Sequence, residues 1–180
     1  MLDPAVGILI TAGLALLLLT AAWQKLRSHT EFAAALAGYR LFPRALLPVL
    51  TWLIPCLEAA IAVGLLAPRS RLPAVLAGCA LLLAYAGAVA INLGRGRLDL
   101  DCGCAGPNDR RPIAPWMVAR NLLLAALLGV VTLRWSGRPL ELTDALTIGG
   151  GLAAAGILYQ ALDTLLGQIM PRGTTLERPS

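Results

Sequence analysis

Of 180 residues, 58% are apolar and only 14% charged, with a mean hydropathy of +0.74, whereas an ordinary soluble domain is roughly 45–50% apolar and about 25% charged. This excludes a typical cytosolic enzyme, a disordered chain and a disulfide-rich secreted domain, and the length suits about five bilayer crossings joined by short loops. A net charge of +5 with 5% aromatic residues leaves no nucleic-acid footprint, and the basic residues read as membrane topology and headgroup contact.

The expected fold is all-α: a polytopic helical membrane protein in which residues 1–180 form a single integral membrane domain, a four-helix bundle core with a fifth transmembrane helix. The first span, 5–23, is free of charge and is followed by Lys25 and Arg27; it opens Met1-Leu2-Asp3-Pro4 without the basic start of a secretory signal and is read as a retained helix. A short helix lying in the interface is expected over 30–40, with Glu31, Phe32 and Tyr39. The second and third spans, 46–67 and 72–93, are joined by a tight basic turn through Pro68, Arg69, Ser70 and Arg71, which forces an antiparallel pair. A Gly-, Pro- and charge-rich loop covers 94–114. The fourth span is 115–133, and the fifth, 143–168, opens near Asp144 and carries Gly149, Gly150, Gly151 and Gly156, small residues that permit close helix packing in lipid. Counting crossings puts the 30–40 segment and the 94–114 loop on the same face of the membrane.

That loop contains Asp101-Cys102-Gly103-Cys104-Ala105-Gly106. Residues two apart in a bent chain reach the Cα separation a disulfide needs, about 4.4–6.8 Å, and Gly103 removes the steric barrier to the bend. So small a ring gains little from loop closure, so the bond is a weak staple, easily reduced and better suited to exchange than to structure. Arg95, Arg97, Arg110 and Arg111 favour thiolate, while Asp99, Asp101 and Asp109 oppose it. Two rivals stand beside the redox pair: idle reduced cysteines, and a soft-metal site of the Cu or Hg type built on two thiolates. No metal is assigned, because a closed zinc site wants four ligands and the only histidine is His29. Cys56 and Cys79, near the middle of the second and third spans, read as packing residues.

Charges and amides inside spans are costly and face a bundle interior or a wet pocket. Glu58 enters from the dithiol face about 12 residues into the second span, roughly 18 Å deep. Arg120 and Asn121 lie in the first turns of the fourth span, so contact with Glu58 requires staggered packing or a bridging water. Asn92, Arg120 and Asn121 are expected to line a polar pocket beneath the cysteines, with Glu58 and Arg97 as further candidates, and a quinone is the candidate cofactor for that pocket. Asp163 is read as interfacial.

The run from Tyr85 to Gly106, YAGAVAINLGRGRLDLDCGCAG, followed by Trp116 and Arg120-Asn121-Leu122, resembles the MauE family of methylamine-utilisation membrane proteins within the wider DoxX-like group. Lys25-Leu26-Arg27, Phe32, Tyr39-Arg40, Pro43 and Glu58 are similar too, and the resemblance covers roughly residues 5–135. It implies an accessory protein for methylamine dehydrogenase maturation. Such a protein acts with a thioredoxin-like partner of the MauD type on a disulfide-rich client, the small subunit that carries a tryptophan-derived quinone. Ala105 stands where a bulkier aromatic is frequent in the family.

Three functions compete: a membrane thiol-disulfide oxidoreductase using Cys102 and Cys104, with Arg120 tuning the thiol; a soft-metal binding or transport protein; and a non-catalytic scaffold for a thioredoxin-like partner. With the amino terminus outside, ten basic residues fall on the cytoplasmic side and four outside, which puts the dithiol in the cytoplasm. Five of the ten, Lys25, Arg27, Arg40, Arg95 and Arg97, belong to motif-like segments, and without them the bias is five to four. A disulfide-forming role belongs in an oxidising compartment. The expectation is therefore an inner (plasma) membrane protein with an extracytoplasmic dithiol loop.

Overall fold

The computed structural model describes residues 3–97, 100, 112–133, 136 and 138–169. Cys102 and Cys104 lie outside the described residues. Among those described the chain is all helical: α1 (Pro4–Arg27), α2 (His29–Tyr39), a 3-10 turn (Arg44–Leu46), α3 (Leu47–Leu66), α4 (Arg71–Gly94), α5 (Pro115–Val130) and α6 (Leu142–Ile169). α1, α3, α4 and α6 are each long and apolar enough to cross a membrane, as expected of a polytopic helical membrane protein. α5 is the short one, 16 residues or about 24 Å against a hydrocarbon core of about 30 Å. Its end comes early because the Val131 and Thr132 N–H groups donate to Leu128 and Gly129, bonds of the tighter i→i+3 kind that close the helix.

Local chemistry sets the starts. Asp3 caps α1, its carboxylate accepting from the Ala5 N–H at 2.9 Å, and Pro4, Pro48 and Pro115 occupy first-turn positions where no donor is lost. Pro55 lies inside α3, a tolerated break in a helix whose neighbours hold it on several sides.

One core joins α1, α3, α4 and α5: Leu14 and Leu18, Ile61 and Leu65, Val75 and Leu82, Leu124 and Leu128. The leucines facing away, such as Leu53, Leu76, Leu83 and Leu123, are exposed, as a lipid-facing surface requires. α6 packs along α1, where Gly151 lets Leu9 approach and Gly13 meets Leu152. Its first turn is tied down by Arg138. The guanidinium donates to Asp3 (2.8 and 3.0 Å) and to Asp144 (2.7 and 2.8 Å), bridging the starts of α1 and α6. Arg138 holds the Asp3 carboxyl below its ordinary value, so this tether is complete above the usual carboxylate range and is lost as the pH falls through the lowered one.

α3 and α4 come close where Gly64 meets Ala74: a Cβ on Gly64 would lie 2.9 Å from the Ala74 Cβ. Gly64→Ala is expected to destabilise the bundle despite a helix-propensity gain of up to about 1 kcal/mol, because overpacking against an unyielding Cβ costs about 1–3 kcal/mol. A lower melting temperature in detergent checks this.

Candidate functional site

Lys25 and Glu58 meet inside the bundle. The Lys25 Nζ donates to Glu58 Oε1 at 2.6 Å, with the lysine 5% and the glutamate 1% exposed. Tyr85 on α4 donates its hydroxyl to the same oxygen at 2.7 Å. The ammonium also lies 5.3 Å from the Tyr85 ring centroid and 5.7 Å from that of Phe32 on α2, so two π-faces add to the carboxylate in stabilising it. Lys25 sits near the end of α1 whereas Glu58 is deep in α3, so the two helices are staggered. α2 then continues beside the first half of α3, where His29 stacks on Trp52 with centroids 4.4 Å apart. The stagger needed for Glu58 to find a partner is thus present, but the partner is Lys25 and not Arg120.

Arg120 pairs with α6. Its Nη1 contacts Asp163 at 3.2 Å and Tyr159 Oη at 3.3 Å, and its guanidinium packs 5.3 Å from the Trp116 ring centroid. Asp163, read from sequence as interfacial, is the counter-ion of an intramembrane arginine. Both ion pairs face one cavity of about 780 Å³ between α1, α5 and α6, which Tyr85 and Asn121 also line.

Asn92 and Arg97 do something else. Arg40 ends α2 with a left-handed backbone, φ 51°, leaving last-turn carbonyls to be satisfied from outside. Arg97 supplies the donors: Nη2 to the Gly38 carbonyl at 2.9 Å and Nη1 to that of Tyr39 at 3.4 Å. Nη1 also reaches Asn92 Oδ1 at 3.1 Å, and Asn92, wholly buried, donates to the Ala88 carbonyl at 3.0 Å. The expected pocket of Asn92, Arg120 and Asn121 therefore divides in two: Arg120 and Asn121 line the cavity with Glu58, while Asn92 and Arg97 bind the end of α4 to the end of α2. A second apolar cluster of Tyr39, Val89, Ile113 and Met117 seals this junction, with Leu100 packed against it. The Ile113 N–H donates to the Leu100 carbonyl at 2.9 Å. The stretch bearing the Cys102–Cys104 pair thus leaves from and returns to this end of the bundle.

Cys56 lies on an exposed face of α3, and Cys79 is partly buried with its Sγ 3.5 Å from the Ala125 carbonyl; neither is disulfide-bonded. Sequence reasoning missed Lys25, Tyr85, Tyr159 and Asp163 as site residues. One signal was available for Lys25: it is the chain's only lysine, set directly after a 19-residue apolar run.

Apolar helices with lipid-facing leucines around paired intramembrane charges define a multi-pass helical membrane protein. Residues 3–134 match the family described as methylamine utilisation protein MauE, and the chain belongs to that family. It is 39% identical to the methylamine utilization protein MauE of Paracoccus denitrificans over 155 residues, covering 86% of this chain and 83% of the relative. To that of Methylophilus methylotrophus it is 36% identical over 169 residues, covering 92% and 88%. No solved structure matches the chain.

Removing one member of a buried ion pair leaves an uncompensated charge, typically at 3–5 kcal/mol, while replacing both with apolar groups is far milder. Lys25→Met and Glu58→Leu are each expected to lower stability by about that amount, and the double variant to recover most of it, as read by a double-mutant cycle of melting temperatures in detergent. Arg97→Leu removes three charge-assisted bonds and is expected to speed amide exchange over residues 37–41 and 113–117, leaving α6 unchanged.

Proposed function

We propose that the protein is a membrane thiol-disulfide redox accessory that, with a thioredoxin-like partner of the MauD type, assists disulfide formation in a methylamine dehydrogenase-type small subunit. The single observation that carries this is the anchoring of the cysteine-bearing stretch. Arg97 before it and Ile113 after it are bonded to the α2 end and to Leu100, at the end of the bundle toward which the charged part of the cavity lies. A pair of idle cysteines needs no such fixing of its flanks. Membership of the MauE family supports the methylamine setting.

In this reading a client thiolate attacks one sulfur of the Cys102–Cys104 disulfide and forms a mixed disulfide. A second client thiolate then displaces it. The client leaves with a new disulfide, and Cys102 and Cys104 leave as the dithiol, carrying two electrons and two protons for a downstream acceptor. Either cysteine can receive the attack. In this reading the dithiol loop lies on the extracytoplasmic face of the inner membrane, because disulfide formation belongs in an oxidising compartment.

The test is alkylation in intact cells with a membrane-impermeant maleimide, in a protein whose Cys56 and Cys79 are replaced by alanine. Labelling of Cys102 and Cys104 only after reduction is the expected result. Labelling confined to permeabilised cells would reject the extracytoplasmic placement. Cys102→Ser or Cys104→Ser is expected to lower the yield of mature small subunit at least tenfold; undiminished maturation in both variants would reject the thiol chemistry.

A further inference from the structure

We infer that the cavity between α1, α5 and α6 is a binding site for an isoprenoid quinone, its head at the two ion pairs and its tail along the apolar shaft. The lining is polarised along its length. From Leu9 to Lys25 the α1 wall spans 17 residues, about 24 Å from first to last at a rise of 1.5 Å each. The half nearer the amino terminus of α1 is lined by Leu9, Gly13, Leu17, Leu152 and Gly156; the half toward the dithiol loop carries Lys25, Glu58, Tyr85, Arg120, Tyr159 and Asp163. A ligand matching this wall is amphipathic and lipid-soluble, with a small polar head and a long apolar tail.

The charges narrow the head. Lys25 is neutralised by Glu58 and Arg120 by Asp163, so the site has no net charge to hold a phospholipid phosphate. What it presents is donors, an ammonium and a guanidinium, suited to neutral carbonyl oxygens such as those of a quinone ring. A volume of about 780 Å³ falls in the range of ligand sites, roughly 300–1,000 Å³. α6 forms one wall of the cavity: it packs along α1 and reaches α5 through the Arg120 bonds to Tyr159 and Asp163.

The quinone's role as acceptor rests on the dithiol reading above; its binding does not. The step balances: the Cys102–Cys104 dithiol loses two electrons and two protons and closes to the disulfide, and the quinone takes both pairs to become the quinol. α5 couples the two places, since Met117 packs against Ile113 at the loop's return and also lines the cavity.

The test uses the purified full chain with decylubiquinone as probe. Binding is followed by quenching of tryptophan fluorescence, Trp116 being packed on Arg120, in the wild type and in a Cys102→Ser/Cys104→Ser variant that measures the site without the thiols. Saturable binding of one quinone per chain in both is expected. Gly156→Phe fills the shaft from a position where a Cβ meets nothing within 4 Å and is expected to weaken binding at least tenfold with the melting temperature held. Leu17→Trp does the same from the opposite wall. No saturable binding to the wild type, or binding that neither variant weakens, overturns the site whatever the cysteines do. Anaerobically, the reduced wild type is expected to consume one quinone per disulfide formed, and the serine variant none. Binding without this oxidation supports the site but overturns the electron transfer to the quinone, while the dithiol reading stands or falls on the labelling and maturation tests above.

Discussion

An ammonium and a carboxylate buried in a bilayer must find each other, and the bundle is arranged around that requirement. Either charge alone at this depth costs several kcal/mol; together at 2.6 Å, with a tyrosine hydroxyl and two ring faces around them, they are tolerable. The solution fixes geometry that apolar packing leaves loose, because leucines slide past one another at little cost. Lys25 near the end of α1 meets Glu58 well inside α3 only at one stagger, and Tyr85 must then sit on the α4 face beside Glu58. The same stagger leaves the first half of α3 without α1 for a neighbour, and α2 fills the gap, bringing Phe32 to the ammonium and His29 to Trp52.

A second constraint follows from helix ends. α2 stops at a left-handed Arg40, and its last carbonyls need donors. Arg97 provides them from the segment just past α4, so the end of one element becomes the anchor of another. The two ends of the bundle are thereby specialised: Arg138 clasps the starts of α1 and α6 on one side, while Arg97 and the Leu100–Ile113 bond gather the α2, α4 and α5 ends on the other. α6 is held at its start by Arg138 and near its end by Arg120. Between those points it packs along α1, which leaves room for a cavity beside it.

Most helices could be read from hydropathy and punctuation, because length and apolarity alone place a span in lipid; α3 and α4 differ by a residue at each end from the expected 46–67 and 72–93. Glu58 and Arg120 were legible as intramembrane charges for the same reason. Their partners were not, since pairing depends on stagger and on which face of each helix turns inward, and neither leaves a local mark. Lys25 looked like the basic flank that closes a span. Asp163 looked like its acidic counterpart, and each becomes a counter-ion only once the helices are assembled. Asn92 and Arg97 were legible as unusual but were assigned to the wrong group, because a carbonyl left bare by a left-handed residue on another helix is invisible in the sequence around them.

These placements bear on the charge count. The positive-inside tendency acts through basic residues whose charge is available to headgroups and to the potential during insertion. Lys25 spends its charge on Glu58, and Arg97 directs its guanidinium at the carbonyls of Gly38 and Tyr39 and at Asn92. Both stand on the dithiol side of the tally, where they inflate the apparent cytoplasmic bias. A residue that builds a site is weak testimony about topology, and in this chain the basic residues that build the site cluster at the dithiol end. The raw excess of ten over four therefore carries less weight against an extracytoplasmic dithiol than its size implies.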